Sequence, residues 1–313
     1  MIRVAAVGEA MIELTHRDDE TLGLSYAGDT YNTATYLARM GGTGLQVDYI
    51  TRVGTDWYSD QMLRQMEREG VGTARIERVE GGTPGLYLVR TGTNGERSFT
   101  YHRSNAPARG LFGSACGPGQ DEAFNSFDVV YLSAISLQIL SAQGRERLWA
   151  ALDAARRRGC LVVFDTNYRP AGWDDPTEAR TAIETTLRRS DMVFPTFDDE
   201  QQLFGDANPA ACARRIAGLG VAEVVVKDGE DGCIVRTGSV RQNVPAETVT
   251  GVVDTTGAGD SFNAGYLAAR LNGSGPYEAA LAGHRLAAQV IRFKGAIIPF
   301  HQAHAGLAVA ALS

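Results

Sequence analysis

Cysteine is scarce in this sequence: Cys116, Cys160, Cys212 and Cys233 are the only four in 313 residues, far apart, with no Cys-x-x-Cys and no histidine at ligand spacing. Such spacing argues against a zinc site or a disulfide framework. Cys160 and Cys233 sit in apolar, strand-like runs, where a free thiol behaves as a small hydrophobe. Structural thiols in a reducing cytoplasm are therefore expected. No stretch approaches the roughly 18 apolar residues of a membrane span, and the run Met1–Glu9 is too short for a signal-peptide core. Basic charge is not in excess either. A net charge of −7 argues against a nucleic-acid or anionic-membrane partner. The P-loop pattern Gly-x4-Gly-Lys-Ser/Thr is absent, and no strand is followed by Gly-x-Gly-x-x-Gly, so any nucleotide is bound in neither of those two ways.

With 44% hydrophobic and 21% charged residues, the chain is ordinary for a soluble globular protein. The most informative stretch is Val253-Asp254-Thr255-Thr256-Gly257-Ala258-Gly259-Asp260-Ser261-Phe262-Asn263-Ala264-Gly265-Tyr266. A polar triplet and two glycines lead into an apolar helix reaching about Leu271. The first N–H groups of a helix lack partners within it, and the peptide dipoles place partial positive charge there. Gly257, Ala258, Gly259 and Asp260 can thus offer N–H donors to an anion. The same terminus is expected to keep the Asp260 carboxylate ionised, the state in which a general base must start. The alternative is a helix-terminal acid behind a simple turn.

The chain reads in order as a buried strand Ile2–Val7, a hairpin Met11–Leu14 with Leu22–Tyr26, and a helix opening at Ala27-Gly28-Asp29-Thr30-Tyr31-Asn32 and reaching Met40. Asp29 there can be the helix N-cap. A strand Val47–Val53 and a helix Ser59–Glu69 follow. A second hairpin, Leu86–Thr91 with Arg97–Arg103, encloses the turn Gly92-Thr93-Asn94-Gly95. Strand alternation places Phe99, Tyr101 and Arg103 on one face, where the guanidinium needs an anionic partner or open solvent.

From Val129 onward strands and helices alternate, as in a doubly wound parallel sheet. The strands are Val129–Leu132, Cys160–Phe164, Met192–Phe194, Val224–Lys227, Cys233–Arg236 and Val240–Val244. The helices include Ala142–Arg158, Pro176–Arg189, Ala258–Leu271 and Pro276–Phe293. Asp165-Thr166-Asn167-Tyr168-Arg169 stands at the carboxyl end of a strand, where such sheets bind ligands. Lys227 is a second strand-end candidate, or an ordinary lysine.

From Asp254 to Tyr266 the sequence matches, position by position, the carboxy-terminal signature of the ribokinase-like sugar kinases of the phosphofructokinase B type. Gly28-Asp29-x-x-Asn32 resembles the family's amino-terminal sugar signature, with Ala27 where a first glycine is common. The resemblance covers nearly the whole chain. It is closest to the group acting on 2-keto-3-deoxygluconate, through Gly8-Glu9-x-Met11-Ile12-Glu13-Leu14, Pro84-Gly85-Leu86-Tyr87, Gly95-Glu96-Arg97-x-Phe99-x-Tyr101, Asn167-Tyr168-Arg169-Pro170-x-x-Trp173 and Gly295-Ala296-Ile297-Ile298-Pro299.

The resemblance implies one ribokinase-like α/β domain over residues 1–313, a three-layer α/β/α sandwich with a mostly parallel central sheet. It also implies a small β-sheet lid from the hairpins at 9–27 and 83–104. It makes Asp260 the catalytic base and Gly257, Ala258 and Gly259 the anion hole. Gly28, Asp29, Asn32, Tyr87, Tyr101, Arg103 and Arg169 become contacts of a sugar acid. Asn167, Lys227, Gly229, Gly232, Gly257, Gly259 and His284 become contacts of ATP. Arg forks suit a carboxylate, which favours an acid over fructose or ribose.

Two departures concern the nucleotide side. Thr196-Phe197-Asp198-Asp199 replaces the family's Asn-x-x-Glu, leaving Asp199 to hold Mg2+ through water with Glu200 as its neighbouring alternative; His284 stands where asparagine is common. Some of the family also require a monovalent cation. Leu22, Leu24 and Tyr26 on the hairpin favour a homo-oligomer. A non-catalytic sensor that kept the fold is the alternative from another class, and the intact Asp260 argues against it.

Overall fold

The computed structural model describes residues 1–91, 97–113 and 122–299; the turn at Gly92–Gly95 and Cys116 lie outside them. The strand β1 (Ile2–Val7) is followed by the antiparallel hairpin of β2 (Met11–His16) and β3 (Leu22–Ala27), then by α1 (Asp29–Met40). Next come β4 (Leu45–Ile50), β5 (Arg52–Gly54), α2 (Trp57–Arg68), β6 (Val71–Gly72), β7 (Glu77–Val79) and the hairpin of β8 (Leu86–Thr91) and β9 (Arg97–His102). The remainder alternates: β10 (Val129–Ser133), α3 (Ala134–Ile139), α4 (Ala142–Arg157), β11 (Leu161–Asp165), α5 (Pro176–Leu187), β12 (Met192–Val193), α6 (Phe197–Phe204) and α7 (Pro209–Gly218). It closes with β13 (Glu223–Lys227), β14 (Cys233–Thr237), β15 (Val240–Val244), α8 (Ala258–Leu271) and α9 (Pro276–Val290).

Nine strands form the large sheet in the order β15-β14-β13-β12-β11-β10-β1-β4-β6. All pair in parallel except β14 and β15. Parallel strands are covered on both faces, which is why these read as near-continuous apolar runs. Strand alternation divides the core in two. Val130, Leu132, Val162 and Phe164 pack with Leu148, Ile183 and Ile216 of α4, α5 and α7. Tyr131, Val163 and Val225 pack on the opposite face with Leu37, Met62, Tyr266 and Leu286 of α1, α2, α8 and α9. The result is the expected three-layer α/β/α sandwich.

The two hairpins join through a parallel pairing of β2 with β8, with Ile12 opposite Leu86, into a separate four-stranded sheet ordered β3-β2-β8-β9. Leu22 and Leu24 of its edge strand are exposed.

Besides α3, β6 and β7, which the sequence reading did not contain, two expected elements differ. The run Val47–Val53 is not one strand: β4 belongs to the large sheet, whereas β5 leaves it to pair in parallel with β7. Residue type indicates an extended backbone but not its partner, which is set by distant chain. The helix α2 begins two residues earlier than expected because Asp56 caps it, accepting from the N–H groups of Tyr58 and Ser59 at 2.8 and 3.2 Å.

Candidate active site

Because its central strands are parallel, the large sheet brings the carboxyl ends of β1, β11 and β13 to one edge, and these carry Glu9, Asp165 and Lys227. The amino terminus of α8 lies there too. Gly257, its N-cap, has φ +77°, and a Cβ at that position would come within 2.8 Å of the Ala296 carbonyl oxygen, so only glycine fits. Ala258 N–H is already bonded to the Thr255 carbonyl at 3.1 Å. Of the four amides expected to be free, that of Ala258 is thus engaged, and the Gly257, Gly259 and Asp260 amides are the ones left to offer to an anion.

Asp260 sits among other acids. Its carboxylate accepts from Asn32 Nδ2 at 2.8 Å, and the Asn32 amide is oriented by its other end, which accepts from Gly28 N–H at 3.3 Å. Gly28 is needed because a Cβ would stand 2.2 Å from the Glu9 carbonyl oxygen. Asp29 is not the cap of α1: Gly28 is, and Asp29 accepts instead from Thr30 N–H at 2.8 Å and Asn167 Nδ2 at 3.0 Å. Asp165 accepts from Lys227 Nζ at 3.3 Å, Asn263 Nδ2 at 2.8 Å and Asn167 N–H at 3.3 Å. Lys227 Nζ also donates to Asn263 Oδ1 at 3.2 Å. Lys227, one of two lysines in the chain, is therefore buried in a network and is no surface lysine at a strand end.

This crowding reverses one expectation. Removal from water and the charge of Asp29, with a smaller push from Asp165, raise the Asp260 carboxyl to about 8, against the Asn32 hydrogen bond and the Lys227 charge. Burial raises Asp29 as well. Burial, with the neighbouring carboxylates behind it, outweighs the helix terminus and favours the protonated acid.

A cavity of about 710 Å³ is lined among others by Tyr101, Arg103, Arg109, Gln138 and Arg169. Tyr101 stacks on Phe99, with Arg103 over its ring, so the three share a face as strand alternation required. The anionic partner of Arg103 is Glu9, a buried acid that burial pushes up and Arg103 pulls down. Arg169 pairs with Asp199 at 3.2 Å. Tyr87 lies in the small sheet against Tyr101, its hydroxyl donating to Glu13. Gly229 and Gly232 form the turn after β13, both with positive φ. His284, on α9, is buried edge-on against Phe262 at 4.9 Å, and burial lowers its pKa.

The residues that sequence reasoning left without a role are Glu9, Asp165, Asn263, Arg109 and Gln138. Asn263 lies inside the Asp254–Tyr266 signature and Asp165 at a strand end, so both carried a positional signal. Arg109 and Gln138 carried none. Glu200, the neighbour of Asp199, turns away into a separate buried group with Asp206 and Arg215.

Residues 1–303 match the model of the pfkB family of carbohydrate kinases. The chain belongs to that family. It is 43% identical over 300 residues to the 2-dehydro-3-deoxygluconokinase of Dickeya dadantii strain 3937, covering 95% of this chain and 96% of that one. A PfkB protein from Polaromonas sp. JS666 superposes with a TM-score of 0.85 at 27% identity, over 99% of this chain and all 100% of the other. A putative ribokinase II from Escherichia coli, solved with ATP and Mg2+, superposes with a TM-score of 0.84 at 21% identity, over 99% and 100% of the two chains.

Proposed function

We propose that the protein transfers the γ-phosphoryl group of ATP to the 6-hydroxyl of 2-keto-3-deoxygluconate (2-dehydro-3-deoxygluconate), giving the 6-phosphate. The observation that carries this reading is the arginine-lined cavity whose Arg103 pairs with Glu9 and whose Arg169 follows Asn167, a donor to Asp29, the carboxylate that acts on Asp260. An acid seated against Arg169 and Arg109 leaves its far hydroxyl to Asp260, and the amides face the charge that develops on the transferring phosphoryl group. Gly28, Asp29, Asn32, Tyr87, Tyr101 and Arg103 complete the sugar side. Asn167, Lys227, Gly229, Gly232 and His284 form the nucleotide side. Mg2+, when bound, supplies positive charge against the phosphates. Asp199 through water, with Asp165, would hold it: the cluster sets three carboxylates, Asp29, Asp165 and Asp260, against one ammonium, and Asp199 is raised by burial and by Asp165. Positive charge entering beside Lys227 also favours the ionised Asp260, which then accepts the proton of the attacking hydroxyl.

The small sheet, carrying Tyr87, Tyr101 and Arg103, acts in this reading as the lid that excludes water, so that sugar rather than water receives the phosphoryl group. Exposed Leu22 and Leu24 on its edge support self-association. A second reading, a kinase of a neutral ketose such as fructose, draws on the acids already paired with Arg103 and Arg169.

Release of ADP with Mg-ATP, measured against 2-keto-3-deoxygluconate, its galactonate epimer, fructose and ribose, separates the two. The keto acids should be preferred, and Arg169→Ala should raise KM for the acid far more than for fructose. Best turnover of fructose or ribose overturns the sugar-acid reading and leaves the fold and Asp260 standing.

A further inference from the structure

The ion pair between Arg97 and Asp254 links the small sheet to the turn that leads into α8. Arg97 opens β9, the strand of the small sheet that also carries Tyr101 and Arg103. Its Nη1 donates to both Asp254 oxygens, at 2.8 and 2.7 Å, and to the Thr256 hydroxyl, with 15% of the Arg97 side chain and 7% of that of Asp254 exposed. Asp254 begins the turn that becomes the anion cradle. Its carboxylate also accepts from Thr256 N–H at 3.0 Å and from Gly295 N–H at 2.8 Å. Gly295 precedes Ala296, the residue against which Gly257 packs. One carboxylate therefore gathers the turn, the segment that supports Gly257, and a strand of the small sheet. Although burial opposes it, these donors hold Asp254 below the usual carboxylate range.

We propose that Arg97 is a positioning residue for phosphoryl transfer, fixing the Gly257–Asp260 amides to the small sheet so that the cradle is aligned only when the face bearing Tyr101 and Arg103 is seated over the acceptor. The physical reason is directional. The amides act on a developing charge only if their N–H vectors stay fixed, and the turn that carries them is short, glycine-rich and held by few bonds of its own. A fixed cation on β9 adds a restraint that depends on where the small sheet lies. Asp254 keeps its two amide donors without Arg97, so the turn survives and loses only its link to the sheet.

The inference rests on the kinase reading but not on which sugar is the acceptor, so the test uses whichever acceptor the enzyme turns over best. Steady-state kinetics, ADP-to-sugar-phosphate stoichiometry and Tm are measured for Arg97→Met, Arg97→Lys, Asp254→Asn and Arg97→Met with Asp254→Asn. Arg97→Met should lower kcat by about 10²-fold, the scale of a small misplacement of catalytic groups. Its acceptor KM and Tm should stay near those of the parent, and its ADP release should exceed sugar phosphate formed. Arg97→Lys, or millimolar guanidinium ion added to Arg97→Met, should restore part of kcat. The double variant should be no slower than the slower single variant, because both remove one interaction. The proposal is overturned if Arg97→Met keeps parental kcat, if the single losses multiply, or if kcat falls only together with Tm and without rescue, which would mark a purely structural tie.

Discussion

Two groups of acids lie within the chain, and their charge balance separates chemistry from architecture. Behind α6 and α7, Glu200, Asp206 and Cys212 place ligand-type atoms within 4.8 Å of one another, close enough to resemble a metal site. Arg215 occupies that space, donating to Glu200 at 2.5 Å and to both Asp206 oxygens, with its guanidinium 4.0 Å from the Phe204 ring centroid. Burial raises Glu200 to about 7 against the pull of Arg215. In the other group Lys227 pairs with Asp165 and its charge also acts on Asp260, while Asp29, Asp165 and Asp260 are held by the amides of Asn167, Asn263 and Asn32. Amides orient a carboxylate without neutralising it. A cluster closed by a fork of arginine is complete by itself, whereas one left short of positive charge is, in the proposed reading, completed by a ligand that brings it.

The largest effect that would sharpen this contrast is on turnover. Asp260→Asn should lower kcat by about 10²–10⁴-fold, the usual loss on removing a general base, while calorimetry still detects sugar binding; near-parental turnover would remove Asp260 from the mechanism. Arg215→Met should act on the other side of the contrast. It strands two buried carboxylates and should destabilise the fold by about 3 kcal/mol in urea denaturation, leaving kcat of the folded fraction near the parent's. A selective loss of kcat at unchanged stability would break the comparison.

A third effect is a pH dependence. Asp260, at about 8 when folded and 3.8 ordinarily, binds a proton in the folded chain that the unfolded chain has lost between those values. Its stabilising contribution is therefore present at low pH and lost as pH rises towards the folded value. Without ligand, Asp260→Asn should melt above the parent near pH 8, and the gap should close as the pH falls towards 4. A gap that does not change with pH would mean that Asp260 is not raised.

Much of the site was legible because its signals are local. Gly257 requires positive φ, and the helix that follows it exposes amides whatever surrounds them. Tyr101 and Arg103 share a face because strand alternation is fixed by the backbone. Glu9 as the partner of Arg103, and Arg97 as the partner of Asp254, were not legible. They join residues 94 and 157 positions apart, and nothing in residue type alone distinguishes an arginine that waits for a substrate from one already paired.

The sequence by itself determined the alternation of elements, the glycine-rich entry to α8 and the membership of a carbohydrate kinase family, since each is written in contiguous residues. Only the tertiary structure decided the burial and the neighbouring charges that raise Asp260, the bond from Ala258 N–H to the Thr255 carbonyl, the pairing of the arginines and the placing of Glu200 with Arg215. Those depend on which charges and carbonyls are brought together across the fold, and electrostatic energy in a buried site is set by distances that contiguous sequence does not contain.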